Sequence, residues 1–135
     1  MPMTLARNLP DTPTQTGPAE IPEHMAVLLL EGGQRFLTKI EEAIGGDDSR
    51  LKDHFIRKAL AILDELHRRL NHEKGGELVD NLTWLYDWWR REILAAGDKG
   101  DAARLNRVRT QMGDIRQAWE YVLFQGEGMS ESPEL

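Results

Sequence analysis

Residues 75–89 read Gly-Gly-Glu-Leu-Val-Asp-Asn-Leu-Thr-Trp-Leu-Tyr-Asp-Trp-Trp, and this stretch decides the fold. The glycine pair predicts a break, and the apolar residues after it recur at intervals of three and four, which is typical of one helix face. That face is formed by Leu78, Leu82, Leu85, Trp89 and Ile93. Trp84 and Trp88 lie four residues apart on a different face. A helix with two apolar sides is either enclosed by its neighbours or exposes a surface that binds a partner.

The composition narrows the class of protein. A chain of 135 residues is long enough for one domain with its own core, and the lack of cysteine excludes disulfides and thiolate metal sites. The net charge of -6 is spread among acidic and basic residues, so we expect neither nucleic-acid binding nor membrane insertion. No apolar run approaches the ~20 residues of a membrane span, and residues 1–9 do not resemble a secretory signal. The expected location is cytoplasmic.

The chain divides into three parts by composition. Residues 1–21 contain four of the six prolines and little apolar mass, which predicts a flexible N-terminal arm. Residues 125–135 are rich in Gly, Ser and Glu and predict a disordered tail. Residues 22–124 predict four helices, bounded at about Pro22 to Ile44, Ser49 to Asn71, Gly76 to Gly97, and Asp101 to Phe124.

Each predicted helix has an apolar stripe that would face a core. For the first, second and fourth helices the stripes are Met25, Leu29, Phe36 and Ile40; Phe55, Ala59, Ile62 and Leu66; and Leu105, Val108, Met112, Ile115, Trp119 and Val122. Short connections make consecutive helices antiparallel. The sequence therefore predicts an all-α fold, an antiparallel up-down-up-down four-helix bundle with a flexible N-terminal arm.

The sequence offers little catalytic chemistry. A di-iron bundle needs Glu-x-x-His on two helices, and Asp64-x-x-His67 is the nearest approach. Ser49, Ser130 and Ser132 lie in a predicted cap or in the tail, away from any general base. We therefore expect no catalytic residue, no cofactor and no metal ligand. A metal-binding helical-bundle enzyme remains as a minor alternative.

The second helix has an additional apolar seam, formed by Ile56, Leu60 and Leu63. One interpretation is that the second and third helices are the most enclosed in the bundle. The other is that this seam, with Trp84 and Trp88, forms a hydrophobic groove for an amphipathic segment of a partner. The Pro-rich arm is a candidate cover for such a groove when it is empty.

An ordered set of motifs along residues 20–122 resembles the flagellar secretion chaperones of the FliS type. The sharpest part is Gly75-Gly76-Glu77-Leu78 followed by Asn81-Leu82 and Leu85-Tyr86-Asp87-Trp88. The remaining matches are Pro22, Leu28-Leu29-Leu30-Glu31-Gly32, Phe36-Leu37, Ala43-Ile44, Lys58-Ala59, Ile62, Leu66, Arg116 and Ala118-Trp119.

The resemblance implies a cytosolic helical bundle that is not an enzyme. Proteins of this kind bind the disordered C-terminal region of flagellin, prevent its premature polymerisation and deliver it to the flagellar type III secretion apparatus. Under that reading, the partners are flagellin and components of the export gate. The residues expected to form or shape the client-binding groove are Ile56, Leu60, Leu63, Asn81, Trp84, Tyr86 and Trp88.

The sequence also departs from the family pattern. Ile21-Pro22 replaces the usual Ser-Pro, and Leu29-Leu30-Glu31-Gly32 lacks a characteristic tyrosine. The tyrosine-bearing N-terminal stretch of the family is missing, and the third helix carries more tryptophan than usual. These differences leave open a chaperone or adaptor for another flagellar export client or regulator.

Overall fold

Of the 135 residues, the computed structural model describes 20–70 and 75–131, with side chains from 24 to 125 within these ranges. The described part contains four helices and no strand, which confirms the predicted all-α class. They are α1 (Glu20–Gly45), α2 (Ser49–Arg68), α3 (Glu77–Lys99) and α4 (Ala102–Glu131). Almost all of the arm predicted for residues 1–21 lies outside the described residues, as do residues 132–135 of the predicted tail.

Local hydrogen bonds explain where the helices begin and end. The Asp48 carboxylate accepts the backbone N–H of Leu51 at 3.0 Å and caps α2. Gly100 closes α3 with φ of 65°, a left-handed conformation that suits glycine. At the start of α4, the backbone N–H of Arg104 donates to Asp101, and this bond is the main reason that the pKa of Asp101 is lowered. The sequence ends α4 near Phe124, but no proline stops the helix before Pro133, and it continues to Glu131.

The helices form a closed ring in which each is antiparallel to the next. α1 packs most extensively, against α2 and α4, while α3 makes fewer contacts with the same two helices. The Gln34 side chain donates to the Arg109 carbonyl across α1 and α4 at 3.2 Å. The Lys52 ammonium donates to the Gly97 carbonyl across α2 and α3 at 2.8 Å. Because early residues of one helix meet late residues of the next, the up-down-up-down bundle is confirmed.

Glycine allows α1 to approach its neighbours closely. A Cβ on Gly33 would lie 3.0 Å from the Met112 sulfur of α4, and one on Gly32 would lie 3.4 Å from Ile62 of α2. The Gly32-Gly33 pair is buried in the middle of α1. Its position agrees with a packing role and explains how α1 fits tightly between two helices.

The buried face of α1 matches the expected stripe only in part: Ile40 of that stripe is fully buried, but elsewhere the burial shifts by one residue. Leu30 and Leu37 are fully buried, whereas Leu29 and Phe36 are half-buried at the edge of the core. Packing on both sides buries a wide arc of α1, and the sequence stripe marks only one border of that arc. In α2 the expected stripe is confirmed at Ala59 and Leu66, and Leu63 from the additional seam joins them in the core.

Trp89 is the central indole of the bundle. Its side chain has no exposed surface, and its ring N–H donates to the Gln111 side chain of α4 at 2.8 Å. The α4 stripe places Trp119 in the core as well, but the Trp119 side chain is only half-buried and packs against the edge of the core. The central position therefore belongs to α3, whose outer side carries the other two indoles.

We expect Trp89→Ala to lower the free energy of unfolding by ~3–5 kcal/mol, because it leaves a large cavity and an unpaired Gln111 side chain. Trp84→Ala is the matched control, since Trp84 is largely exposed and its loss should cost under ~1 kcal/mol. Urea unfolding followed by circular dichroism measures both. Equal losses for the two variants would contradict the assigned core.

Removal of the Asp48 cap should destabilise only the N-terminal end of α2. Asp48→Ala is expected to cost ~1 kcal/mol, because it leaves the Leu51 amide without its acceptor. Asp48→Asn keeps a capping oxygen and should stay within a few tenths of a kcal/mol of the wild type. Thermal unfolding of the two variants side by side makes the comparison, and an Asn variant as unstable as the Ala variant would reject the cap.

Candidate binding surface

An apolar recess of about 190 Å³ opens at the end of the bundle where α2 ends and α3 begins. All four helices contribute to it. Its lining residues are Ala26, Leu66, Arg69, Leu70, Leu78, Val79, Leu82, Tyr86 and Trp119. Since the lining is almost entirely hydrocarbon and aromatic, the recess fits an apolar side chain better than a polar ligand.

The recess has a buried floor and an exposed apolar rim. Leu66 and Tyr86 are nearly inaccessible, whereas the Leu78 side chain is 63% exposed at the mouth. Arg69 lies at the rim with its guanidinium held by Glu65, at 2.7 Å. Hydrogen bonds from Arg68 and then Arg69 lower the pKa of Glu65 despite its partial desolvation. Glu65 thus neutralises the charge of Arg69 beside the recess, and the interior of the recess stays apolar.

Tyr86 supports the recess from within the core. Its ring lies 5.7 Å from the Trp89 ring and 6.1 Å from the His67 ring of α2, between centroids. Burial raises the pKa of Tyr86 to about 12, so the phenol remains neutral at physiological pH. The sequence analysis expects Tyr86 to shape the groove, and the structure places it beneath the surface, against the recess.

Trp84 and Trp88 form a second apolar feature, which we call the indole ledge. Their rings are nearly parallel, with 8° between planes and 6.3 Å between centroids. Trp88 packs partly against the core, whereas the Trp84 side chain is 61% exposed. Trp84 is therefore the exposed aromatic side chain of α3, a helix that already buries Trp89 and Tyr86.

The two flanks of α3 separate the ledge from the α2 seam. On one flank Arg90 pairs with Asp64 of α2, and Gly97 lies so close to Ile56 that any added Cβ would collide with it. On the other flank Glu92 pairs with Arg104 of α4 at 3.0 Å. Residues four apart share a helix face, so Trp88 and Trp84 follow Glu92 toward the α4 side.

The seven residues expected at the groove therefore occupy three environments. Trp84, Trp88 and Asn81 lie on the outer side of α3, and Asn81 and Trp84 are exposed. Ile56 and Leu60 are half-buried against the core on the α2 side. Leu63 and Tyr86 belong to the core itself. The structure brings the two indoles together but does not join them to the α2 seam in one groove, and contact of any of the seven with a client stays a prediction.

Sequence reasoning missed most of the recess. It is built largely from two apolar pairs, Leu66 with Leu70 at the end of α2 and Leu78 with Leu82 at the start of α3. Each pair is spaced by four residues, and the pairs flank the turn at Gly75-Gly76. Antiparallel helices bring such pairs together, so the spacing around the glycines was the signal that could have located the recess.

Other kinds of site receive no support from the described part of the chain. Across residues 20–70 and 75–131, no group of three or more His, Asp or Glu side chains is positioned to hold a metal ion. None of the described helices combines the length and hydrophobicity needed to cross a membrane.

Tyr86 should make stability fall at alkaline pH. The phenol ionises near pH 10 in the unfolded chain and near pH 12 in the folded protein, so its contribution is complete below pH 10 and is lost as pH rises to about 12. Over this range the unfolding free energy of the wild type should fall by roughly 3 kcal/mol relative to that of Tyr86→Phe, at about 1.4 kcal/mol per pKa unit. Tyr121→Phe, which alters an exposed ring, should keep the wild-type slope. Parallel wild-type and Tyr86→Phe curves would contradict the burial argument.

Comparison with known proteins agrees with the motifs in the sequence. The profile of the family described as Flagellar protein FliS matches residues 14–125. The chain is 30% identical to the flagellar secretion chaperone FliS of Salmonella typhimurium over 102 residues, which cover 75% of this chain and 76% of that protein. The chain is also 30% identical to the protein of the same name from Campylobacter jejuni over 103 residues, which cover 76% of this chain and 80% of that protein. It is 29% identical to the Bacillus subtilis protein of that name over 102 residues, which cover 76% of this chain and 75% of that protein.

These relatives are named as chaperones, and none carries the name of an enzyme, which agrees with the expectation that this chain is not one. The profile match spans most of the chain, including all of the bundle that surrounds the recess and the ledge up to residue 125. The chain belongs to the FliS family of flagellar secretion chaperones.

Proposed function

We propose that this chaperone binds the disordered C-terminal segment of flagellin in the cytoplasm, prevents its premature polymerisation and supports its delivery to the flagellar type III secretion apparatus. Membership of the family supports the class of client. The observation that carries the proposal is the pairing of an apolar recess with an exposed indole on the same helix, α3.

The spacing of these two features suits a helical client. Leu78 at the mouth of the recess and Trp84 on the ledge are six residues apart, or about 9 Å along α3 at ~1.5 Å per residue. Anchors one to two turns apart on an amphipathic helix span a similar distance. A flagellin segment that folds on binding can therefore place one apolar side chain in the recess and another against Trp84.

The energetics favour firm but reversible binding. Trp and Tyr often contribute most of the binding energy at interfaces. Such anchors are usually surrounded by weaker contacts that keep water away from them. A disordered client loses about 2–5 kcal/mol of its interaction energy to its own ordering. The net affinity is consequently moderated, which suits a chaperone that releases its client at the export apparatus. Polymerisation is blocked because the bound segment cannot contact another flagellin.

The seven expected residues take different parts in this proposal. Trp84, Trp88 and Asn81 provide direct contacts on the outer side of α3. Tyr86 and Leu63 act from the core, by fixing the backbone that carries the surface residues. Ile56 and Leu60 offer a second, half-buried contact area along the α2 side, for a client long enough to continue around the bundle.

A different flagellar export client or regulator is the second candidate. The observation that favours it is the exposed Trp84 in a chain whose α1 carries Leu30, fully buried, at the position of the family's tyrosine. Pull-down with the intact chain from the cytosol of its own organism separates the two candidates. Recovery of flagellin supports the first, and recovery of another flagellar protein in its place supports the second.

We expect Trp84→Ala to weaken binding of a flagellin C-terminal peptide by about 2 kcal/mol, or about thirtyfold, with little loss of stability. Trp88→Ala should weaken binding and also destabilise the fold, because Trp88 packs against the core. Leu94→Ala is the control, since Leu94 is an exposed apolar residue of α3 on its α2 side.

Tryptophan fluorescence of the folded chain during titration with the peptide gives the dissociation constants. The absence of any spectral change at micromolar peptide, together with no heat in calorimetry, would count against the proposed client. A Leu94→Ala variant as weak as Trp84→Ala would show that the binding surface is misplaced.

A further inference from the structure

The N-terminal half of α3 is acidic as well as aromatic. Residues 75–89 contain Glu77, Asp80 and Asp87 and neither lysine nor arginine. The first arginines along the helix are Arg90 and Arg91, which follow both indoles of the ledge. A partner segment laid on this half of α3 therefore meets negative charge around an apolar surface.

Two of the three carboxylates flank the exposed indole. Asp80 lies four residues before Trp84 and Asp87 lies three residues after it, which places all three on adjoining turns of one face, with Cβ atoms of neighbours about 5–6 Å apart. Asp80 is exposed, and the Asp87 side chain is 49% exposed. The imidazole of His67, from α2, lies on the other side of Asp87 at 3.8 Å and leaves that carboxylate accessible.

The stacking of the ledge leaves one face of Trp84 open. Trp88 lies parallel to the Trp84 ring at 6.3 Å between centroids, so it can shield only one of the two ring faces, and the Trp84 side chain is 61% exposed. The face of an indole attracts cations through its quadrupole, and Trp is the best of the aromatic side chains in this respect. An exposed indole with a carboxylate one turn before it and another one turn after it thus has the chemistry of a site for an arginine or a lysine.

Two arginines on the flanks of α3 are paired with carboxylates of the bundle. Arg90 pairs with Asp64, and Arg104 pairs with both Glu92 and Asp101. The ring contact recorded for Trp84 is the stack on Trp88. Neither of these two guanidinium groups is therefore available to neutralise Asp80 or Asp87.

We propose that the indole ledge, with Asp80 and Asp87, is a docking site for a basic residue of the client segment, whose arginine or lysine stacks on Trp84 between the two carboxylates. This inference rests on the proposed function for the identity of the client. It adds that the client helix has a charged contact beside its apolar anchor in the recess. The contact fixes the register of the client along α3, because the cation matches one position only.

The test compares two synthetic amphipathic peptides that share leucines at intervals of three and four. One carries arginines beside the leucines, and the other carries citrulline, a neutral isostere, at the same positions. The arginine peptide should bind about tenfold tighter at ~0.1 M salt, and its advantage should shrink at ~1 M salt because these exposed charges are screened. Tryptophan fluorescence and calorimetry give both affinities.

Variants separate the indole from the carboxylates. Trp84→Leu keeps an apolar surface and should lose the preference for arginine while it still binds the citrulline peptide. Asp80→Asn with Asp87→Asn should lose the preference with the fold intact, since both side chains are accessible. Asp53→Asn with Asp98→Asn removes the same charge from exposed positions away from the ledge and should keep the full preference.

Several outcomes would overturn the inference. These are equal affinity for the two peptides, a preference that survives Trp84→Leu, or a preference that the Asp53–Asp98 control also abolishes. Self-association of the chain in light scattering, removed by the Asp80–Asp87 pair of changes, would assign the ledge to a second copy and overturn it as well.

The same variants distinguish this inference from the proposed function. If a flagellin C-terminal peptide binds the wild type and the Asp80–Asp87 variant equally but binds Trp84→Leu more weakly, the inference fails and the proposed function stands. If that peptide does not bind while the arginine peptide shows the expected preference, the proposed function fails and a basic docking site remains.

Discussion

In a four-helix bundle, each helix can bury only the side that faces its neighbours, because the rest of its surface meets solvent. α1 satisfies this constraint with glycines and aliphatic residues that let α2 and α4 approach closely. α3 packs less closely against the same two helices, and its arc is already filled by Trp89, Tyr86 and Ile93. The further indoles of α3 consequently have no place in the core.

Several apolar side chains of α3 that lie outside the core are grouped in two places. Trp84 and Trp88 stack against each other, which reduces the area that each exposes to water, and they lie on the α4 side of α3. Leu78 marks the recess at the end of the same helix, near the glycine turn. Client binding, as proposed, would use the side of the bundle where packing is loosest and would leave the α1 side, with its polar links to α4, as the rigid support.

Much of this could be predicted from the sequence. Periods of three and four and the glycines at helix ends are local signals, so they gave four helices with bounds within a few residues, except at the end of α4. The ordered motifs gave the family. For the site, Trp84 was recognised as surplus surface and is exposed, Leu63 and Tyr86 are core residues, and the recess was not located from the sequence; contact of the seven residues with a client stays a prediction.

The sequence by itself determined the helices, their antiparallel order and the family, because these depend on residues near one another along the chain. The apolar stripes gave the approximate core face of α3 and α4, and the tertiary structure decided the finer rotation of the helices about their axes. Ile62 and Leu63, or Leu85 and Tyr86, are adjacent apolar residues about 100° apart, and only the packed neighbours determine which of the two is buried. That rotation placed the two indoles on the α4 side of α3, and the meeting of four helix ends created the recess.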